Sequence, residues 1–249
     1  MKLSTLLLTL PLAATLLSSC KKDSDTLTGS VGVHFDAQAN GNSFALGRAV
    51  TKSDGQSFTP TAFKYYVSNV RLLRADGSDY AVPESYYLID AAKPLTAQLS
   101  LPSIPLGEYT GISFLAGVDA ARNSAGAQTG ALDAGQGMFW DWNQGYIYSK
   151  LEGSSPDSPT GAITFHIGGV PNIRPITISF GTAKLAVGDH GESSIHIPVN
   201  PLAMFESSNA ANRISFATTY RVMSPTGISN TMADNIAAGM FLAAHVHNH

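Results

Sequence analysis

The feature that most constrains this chain is a period of two in its apolar residues. Val31, Val33 and Phe35 alternate with Gly32 and His34, and Ile163, Phe165 and Ile167 alternate with Thr164 and His166. Ile195, Ile197 and Val199 repeat the pattern around His196. A strand turns successive side chains to opposite faces, so each run carries one apolar face and sets a histidine on the other. Asn40-Gly41, Asp54-Gly55 and Asp76-Gly77 read as hairpin-type turns. Strands are predicted over 63–73, 86–90, 97–101 and 110–117, with Pro83, Pro94, Pro102 and Pro105 marking their ends or edges. Further strands are predicted over 162–168, over 175–187 with a break near Gly181, and over 194–199. Helical periodicity is nearly absent from the first half. The fold class is therefore all-β, an antiparallel β-sandwich, closed by a short C-terminal helix.

That helix is expected from about Met232 to Ala244, where Met232, Ile236, Ala237, Met240, Phe241 and Ala244 recur at three- and four-residue spacing. Thr231 with Asp234 three residues later resembles a capping box. A second short helix is expected to start at Asn200-Pro201 and run through Ser207. Residues 119–134 read as a small-residue loop in which Asp119, Asn123 and Asp133 cap turns rather than ligate calcium.

The stretch from Gly135 to Gly153 holds both tryptophans, Trp140 and Trp142, with Phe139, Tyr146 and Tyr148 beside them. Glycines at 135, 137 and 145 let the chain bend around it. In an extended segment Trp140 and Trp142 share one face and Phe139 and Asp141 the other, and Tyr146 and Tyr148 likewise share a face. From composition the plain reading is a core strand with large aromatics.

Residues 1–19 read as a lipoprotein signal peptide. Lys2 supplies the positive start, Leu3 to Leu17 the apolar body, and Leu17-Ser18-Ser19-Cys20 the lipobox. Cys20 is the single cysteine and becomes the lipidated first residue, so the mature chain keeps no free thiol for disulfides, thiolate ligation or cysteine nucleophilic catalysis. Residues 20–30 form a polar tether and residues 31–249 one β domain, long enough to bury a sizeable core without cross-links. The expected location is the cell envelope, lipid-anchored on the periplasmic or cell-surface face of the outer membrane. With a net charge of −3 and only 13% charged residues, the chain lacks the basic patch that a nucleic acid needs.

Histidine is the main source of metal ligands once cysteine is gone. Its imidazole suits copper, zinc, iron and nickel. His245, His247 and His249 would face one way in an extended tail, while His190 sits in a Gly-Asp-His-Gly loop with no visible partner. Motifs for zinc proteases, serine hydrolases, phosphate-binding loops and S-x-x-K enzymes are missing. Asp141 and Glu152 are the carboxylates a glycosidase reading would use.

Gly137-Met138-Phe139-Trp140-x-Trp142-x-x-Gly145-Tyr146, with Lys150-Leu151-Glu152-Gly153, resembles the signature of the MbnP-like copper-binding family. Phe63 to Val70, Gly107-Glu108-Tyr109 leading to Gly117-Val118-Asp119, and Phe165-His166-Ile167-Gly168 resemble other segments of that family. So does the end of the chain, from Ala233-Asp234-Asn235 through Met240-Phe241 to His245-Val246-His247. The resemblance implies a copper-binding protein that is not itself an enzyme. It implies a partner diheme protein of the MbnH kind that converts a tryptophan, Trp140 or Trp142, to kynurenine, whose aryl amine and ketone can ligate copper or sit beside the ligands. His166, His245 and His247 coincide with the resembled motifs and rank first as copper ligands; His34 follows, and His196 is a weaker candidate. The alternative is a carbohydrate-binding surface lipoprotein in which Trp140, Trp142, Tyr146 and Tyr148 stack on sugar rings. That alternative needs exposed tryptophans, whereas the copper reading needs histidines close together and near a tryptophan.

Overall fold

The computed structural model describes residues 27–141, 145–189 and 191–248. The signal segment with Cys20, and Trp142, His190 and His249, lie outside the described residues. The fold is all-β, built mainly as two sheets packed over a shared core, with a further two-stranded sheet that pairs Gly107–Tyr109 with Leu185–Val187.

The smaller sheet is centred on β1 (Thr28–Ala39). At the Asn40-Gly41 turn both residues have positive φ, which folds β1 directly onto β2 (Asn42–Ser43). The larger sheet is centred on β3 (Ser57–Leu73), a strand long enough to serve several partners. It pairs with β4 (Tyr86–Asp90) and later with β6 (Gly111–Ala116), and β5 (Gln98–Pro105) between them returns to β1. A bulge lies between Ser68 and Arg71, where Asn69 takes a positive φ. On the other flank of β3 lies β8 (Gly145–Ser154), preceded by the short β7 (Phe139–Trp140) that pairs with it and followed by β9 (Ala162–Gly168). β10 (Arg174–Ser179) extends the sheet beyond β6.

The chain then crosses back to the smaller sheet. β11 (Glu192–Val199) runs parallel to β1, and β12 (His245–His247) closes that edge antiparallel to β11. Antiparallel pairing dominates as expected, but β1 with β11, and β9 with Arg221–Val222, are parallel. Period two cannot reveal this, because alternation is the same in either direction. The core between the sheets takes Val33, Phe35, Ile195 and Ile197 from one side and Phe63, Tyr65, Leu151 and Phe165 from the other. Phe35 meets the rings of Tyr65 and Phe114 edge-on across it, at 6.2 and 6.0 Å.

The helices differ from expectation. Residues 119–134 contain α1 (Ala120–Ser124), whose N-terminus Asp119 caps by accepting from the Arg122 N–H, and a 3-10 turn capped by Asp133. α2 spans Ile228–Gly239, starting and ending earlier than the apolar spacing predicts. Gly227 rather than Thr231 stands at its N-cap, and Asp234 instead pairs with Arg174 at 2.7 Å. Phe241 continues the helical spacing but leaves the helix to bridge to Val199 and pack against Phe114, ring centroids 5.0 Å apart. The Asn200-Pro201 helix is a single 3-10 turn, Pro201–Met204.

Candidate functional site

The outer face of the smaller sheet carries a row of histidines. In the parallel register of β1 and β11, His34 stands beside His196, while Val33 and Phe35 turn inward beside Ile195 and Ile197. The two imidazoles stack with centroids 4.5 Å apart and planes 6° from parallel. In the register of β11 and β12, His196 stands beside His245, and its ring meets that of His247 edge-on at 5.1 Å. Asp36, two residues along β1 on the same face, brings a carboxylate oxygen to 3.5 Å from His196 Nδ1. His34 and His196 are half-buried, His245 and His247 exposed. Asp36, His196, His245 and His247 line an open groove of about 580 Å³.

These donors fit copper in kind, since clustered imidazoles suit a borderline metal. Their arrangement is not closed on an ion. Two rings stacked almost parallel aim their in-plane nitrogen lone pairs alongside one another rather than at one point. Among the described residues no group of three or more His, Cys, Asp or Glu side chains is arranged to hold a metal. Ligation here requires the histidine rings to turn, and the broad second torsion of histidine makes that turn easy.

The outer face of the larger sheet is different, because another part of the chain covers it. Tyr65 points into the sandwich core, and its neighbour Tyr66 points out into a second apolar cluster with Leu132, Met138, Trp140, Tyr146 and Tyr148. The lid of that cluster is the chain from α1 to β7. Tyr146 Oη donates to the Leu132 carbonyl at 2.7 Å and accepts from the Gln128 N–H at 3.1 Å; Tyr66 Oη donates to the Ala131 carbonyl at 2.8 Å. Asn123 Oδ1 accepts the Tyr146 N–H at 2.9 Å. Burial raises the Tyr66 and Tyr148 hydroxyls well above the ordinary phenol value. Trp140 is 3% exposed and Tyr146 0%. The aromatic residues described here are thus a second core, and Trp140, Tyr146 and Tyr148 offer no face on which a sugar ring could stack.

His166 belongs to this covered face. It points away from the core that takes Phe165, on the side of the sheet opposite to the histidine row, and stands beside Lys150 in the register of β8 and β9. It is 6% exposed, with Nε2 2.7 Å from Glu152 Oε1 and Nδ1 buried without a partner. Burial pushes His166 below the ordinary imidazole value, against the pull of Glu152, and the charge of Lys150 adds to the depression. Burial would raise the Glu152 carboxyl, but the His166 hydrogen bond and Lys150 outweigh it and hold it below its usual range. Lys150 is 3.2 Å from Glu152 and also donates to the Gly137 carbonyl at 3.3 Å. Lys64, paired with Asp90 at 3.1 Å, donates to the Gln136 carbonyl at 3.1 Å. Two lysines therefore hold the turn that leads into Trp140. Asp141, on that same segment, is exposed.

Of the residues that the sequence singled out, the structure sets His196, the weaker candidate, between His34 on one side and His245 and His247 on the other. His166 is held on the far side of the sandwich. The Val-His-Phe and Ile-His-Ile runs were the available signal for the His34–His196 pair; nothing in the sequence marked Lys64 and Lys150 as clamps.

The family model for MbnP matches residues 28–224. A similar solved structure is MbnP from Methylosinus trichosporium, with a TM-score of 0.46 and 18% identity, covering 72% of this chain and 77% of that one. A search of curated proteins gives no match. The matched span contains the aromatic segment, His34, His166 and His196, and stops short of α2 and of His245 and His247. With most of its length matched, this chain belongs to the MbnP family.

Proposed function

We propose that the protein is an envelope-anchored copper-binding lipoprotein, not itself an enzyme, and the substrate of a diheme partner that oxidises one of its tryptophans to kynurenine. The observation that carries the copper part is the row His34, His196, His245 and His247, four imidazoles on adjacent strands, the last three of them lining one open groove. Bound there, copper would be cargo held by neutral imidazoles; Asp36 would orient His196 from the second sphere. His166 plays a supporting part in the covered face through Glu152.

Support for the oxidation part comes from family membership, and the burial of Trp140 constrains how oxidation can occur. A docked protein cannot touch a side chain so enclosed, so oxidising equivalents must reach Trp140 through the protein. Conversion takes up two oxygen atoms from peroxide, opens the indole five-membered ring and releases one carbon as formate on hydrolysis. The product is about 4 Da heavier. Peptide mapping over residues 124–150 after exposure to the diheme partner and peroxide places the change on Trp140 or on Trp142. Absence of the change from both, with an active partner present, refutes this part of the proposal.

Isothermal titration of copper(I) held by a competing chelator tests the binding part. The wild type is expected to bind and the His34→Ala, His196→Ala double variant to bind about a hundredfold more weakly; equal binding by both refutes it. The anchor has its own test. Cys20→Ala is expected to move the protein from the membrane to the soluble envelope fraction or leave it unprocessed, and fractionation like the wild type refutes the anchor.

A further inference from the structure

The smaller sheet is open along one edge. β1 pairs with β5 only as far as His34 beside Gln98, and with β2 only from Gln38 beside Ser43. Among the described residues, 35–37 between them have no strand partner on that side, although the Phe44 N–H reaches the Ala37 carbonyl at 2.9 Å. Behind this gap lies a cavity of about 320 Å³. That volume is within the range of small-molecule sites. Phe44, Phe63, Ile89 and Ala97 form its apolar walls, and His34 and Asp36 stand among its polar groups.

The charge of the lining is one-sided. Asp90 lines the cavity, but Lys64 neutralises it at 3.1 Å. Asp36 has a largely exposed carboxylate, and the partner shown for it is His196 at 3.5 Å. Among the described lining residues there is no lysine or arginine. Tyr65 lines the same cavity at 2% exposure, and its hydroxyl has no hydrogen-bond partner among the described residues. Burial first, and then the charge of Asp36, push that hydroxyl well above the ordinary phenol value.

We infer that this cavity is a binding site for a small organic ammonium with an apolar or aromatic body, its cationic head against Asp36 and its body between Phe44, Phe63 and Ile89. A carboxylate at the mouth of an apolar cavity selects a cation by a charge-assisted contact. The walls favour a body that leaves water, and aromatic rings add attraction for a nearby cation. The site lies toward β2 and β5, away from His245 and His247. It shares His34 and Asp36 with the histidine row, but its ligand class does not depend on copper.

The test uses metal-free protein, with phenethylamine as the probe and phenylethanol as its uncharged comparator, read by calorimetry and by amide chemical shifts. The expected result is saturable one-site binding of phenethylamine, about tenfold or more tighter than phenylethanol, as one charge-assisted contact supplies. Shifts should centre on residues 35–37 and 44. Asp36→Asn should erase the preference for the amine while the exposed position leaves the fold intact, and Ala97→Leu should block both probes by filling the cavity. Absence of saturable binding, equal affinity for amine and alcohol, an unaltered preference in Asp36→Asn, or shifts centred elsewhere would each overturn the assignment.

Discussion

The two outer faces of the sandwich hold the same residue type in the same strand pattern and put it to different use. On the smaller sheet, His34 and His196 stack on one another and remain half-exposed, and His196 lines an open groove. On the larger sheet, His166 alternates with Phe165 and Ile167 just as His196 alternates with Ile195 and Ile197, yet it is buried and bonded to Glu152. Glu152 and Lys150 stand against it, and Lys150 in turn reaches the Gly137 carbonyl. A covering segment from α1 to β7 lies over the larger sheet, with its turn at Gln136 and Gly137 held by Lys64 and Lys150. A histidine's availability as a ligand is thus decided by what another part of the chain does to its face.

The largest effect expected from this contrast is on stability. Tyr146→Ala removes the ring at the centre of the second core together with its hydrogen bonds to Leu132 and Gln128. A loss of about 3–5 kcal/mol in urea unfolding is expected, the range for large buried side chains cut to alanine. Copper binding by the protein that remains folded should be unaltered. The histidine row should respond the opposite way. His34→Ala with His196→Ala should lower copper affinity by about a hundredfold, on the order of one decade per imidazole lost, while stability moves by within about 1 kcal/mol.

Acid separates the faces more gently. His166 titrates in the folded protein below its ordinary value of 6.5, so the stability its neutral ring provides is complete above that value and is lost as pH falls through the lower folded value. Glu152 has the same sign, present above 4.5 and lost as pH falls further. Urea midpoints should therefore decline on acidification below pH 6.5, and His166→Leu should flatten the first part of that decline. Copper affinity should also fall on acidification, because protons compete with the metal for ligating imidazoles, and His166→Leu should leave that fall in place. The smallest effect is expected for Lys150→Met, about 0.5–1 kcal/mol, seen as faster hydrogen exchange in residues 137–140.

Much of the frame was legible because it depends on local chemistry. Three hairpin turns, most strands and the outward setting of His34 and His196 follow from period two and from turn residues. Asp119 and Asp133 cap turns, as their residue types suggest. What escaped depends on distance in sequence. The parallel pairing of β1 with β11 joins residues more than a hundred positions apart, so the meeting of His34 with His196 could not be read from either strand. The early end of α2 escaped because Phe241 fits helical spacing yet gains more by packing on Phe35 and Phe114. The covering of His166 escaped because a strand's alternation specifies two faces without saying which of them another segment will bury.

The central claim is that copper belongs to the open face and not to the covered one. Anomalous diffraction at the copper edge, from crystals of the copper-loaded protein, tests it most directly. The account predicts a single strong peak in the groove beside His196, with nitrogen ligands drawn from His34, His196, His245 and His247, and no peak within bonding distance of His166. A peak on His166 and Glu152, or copper held without any histidine of the row, would contradict it.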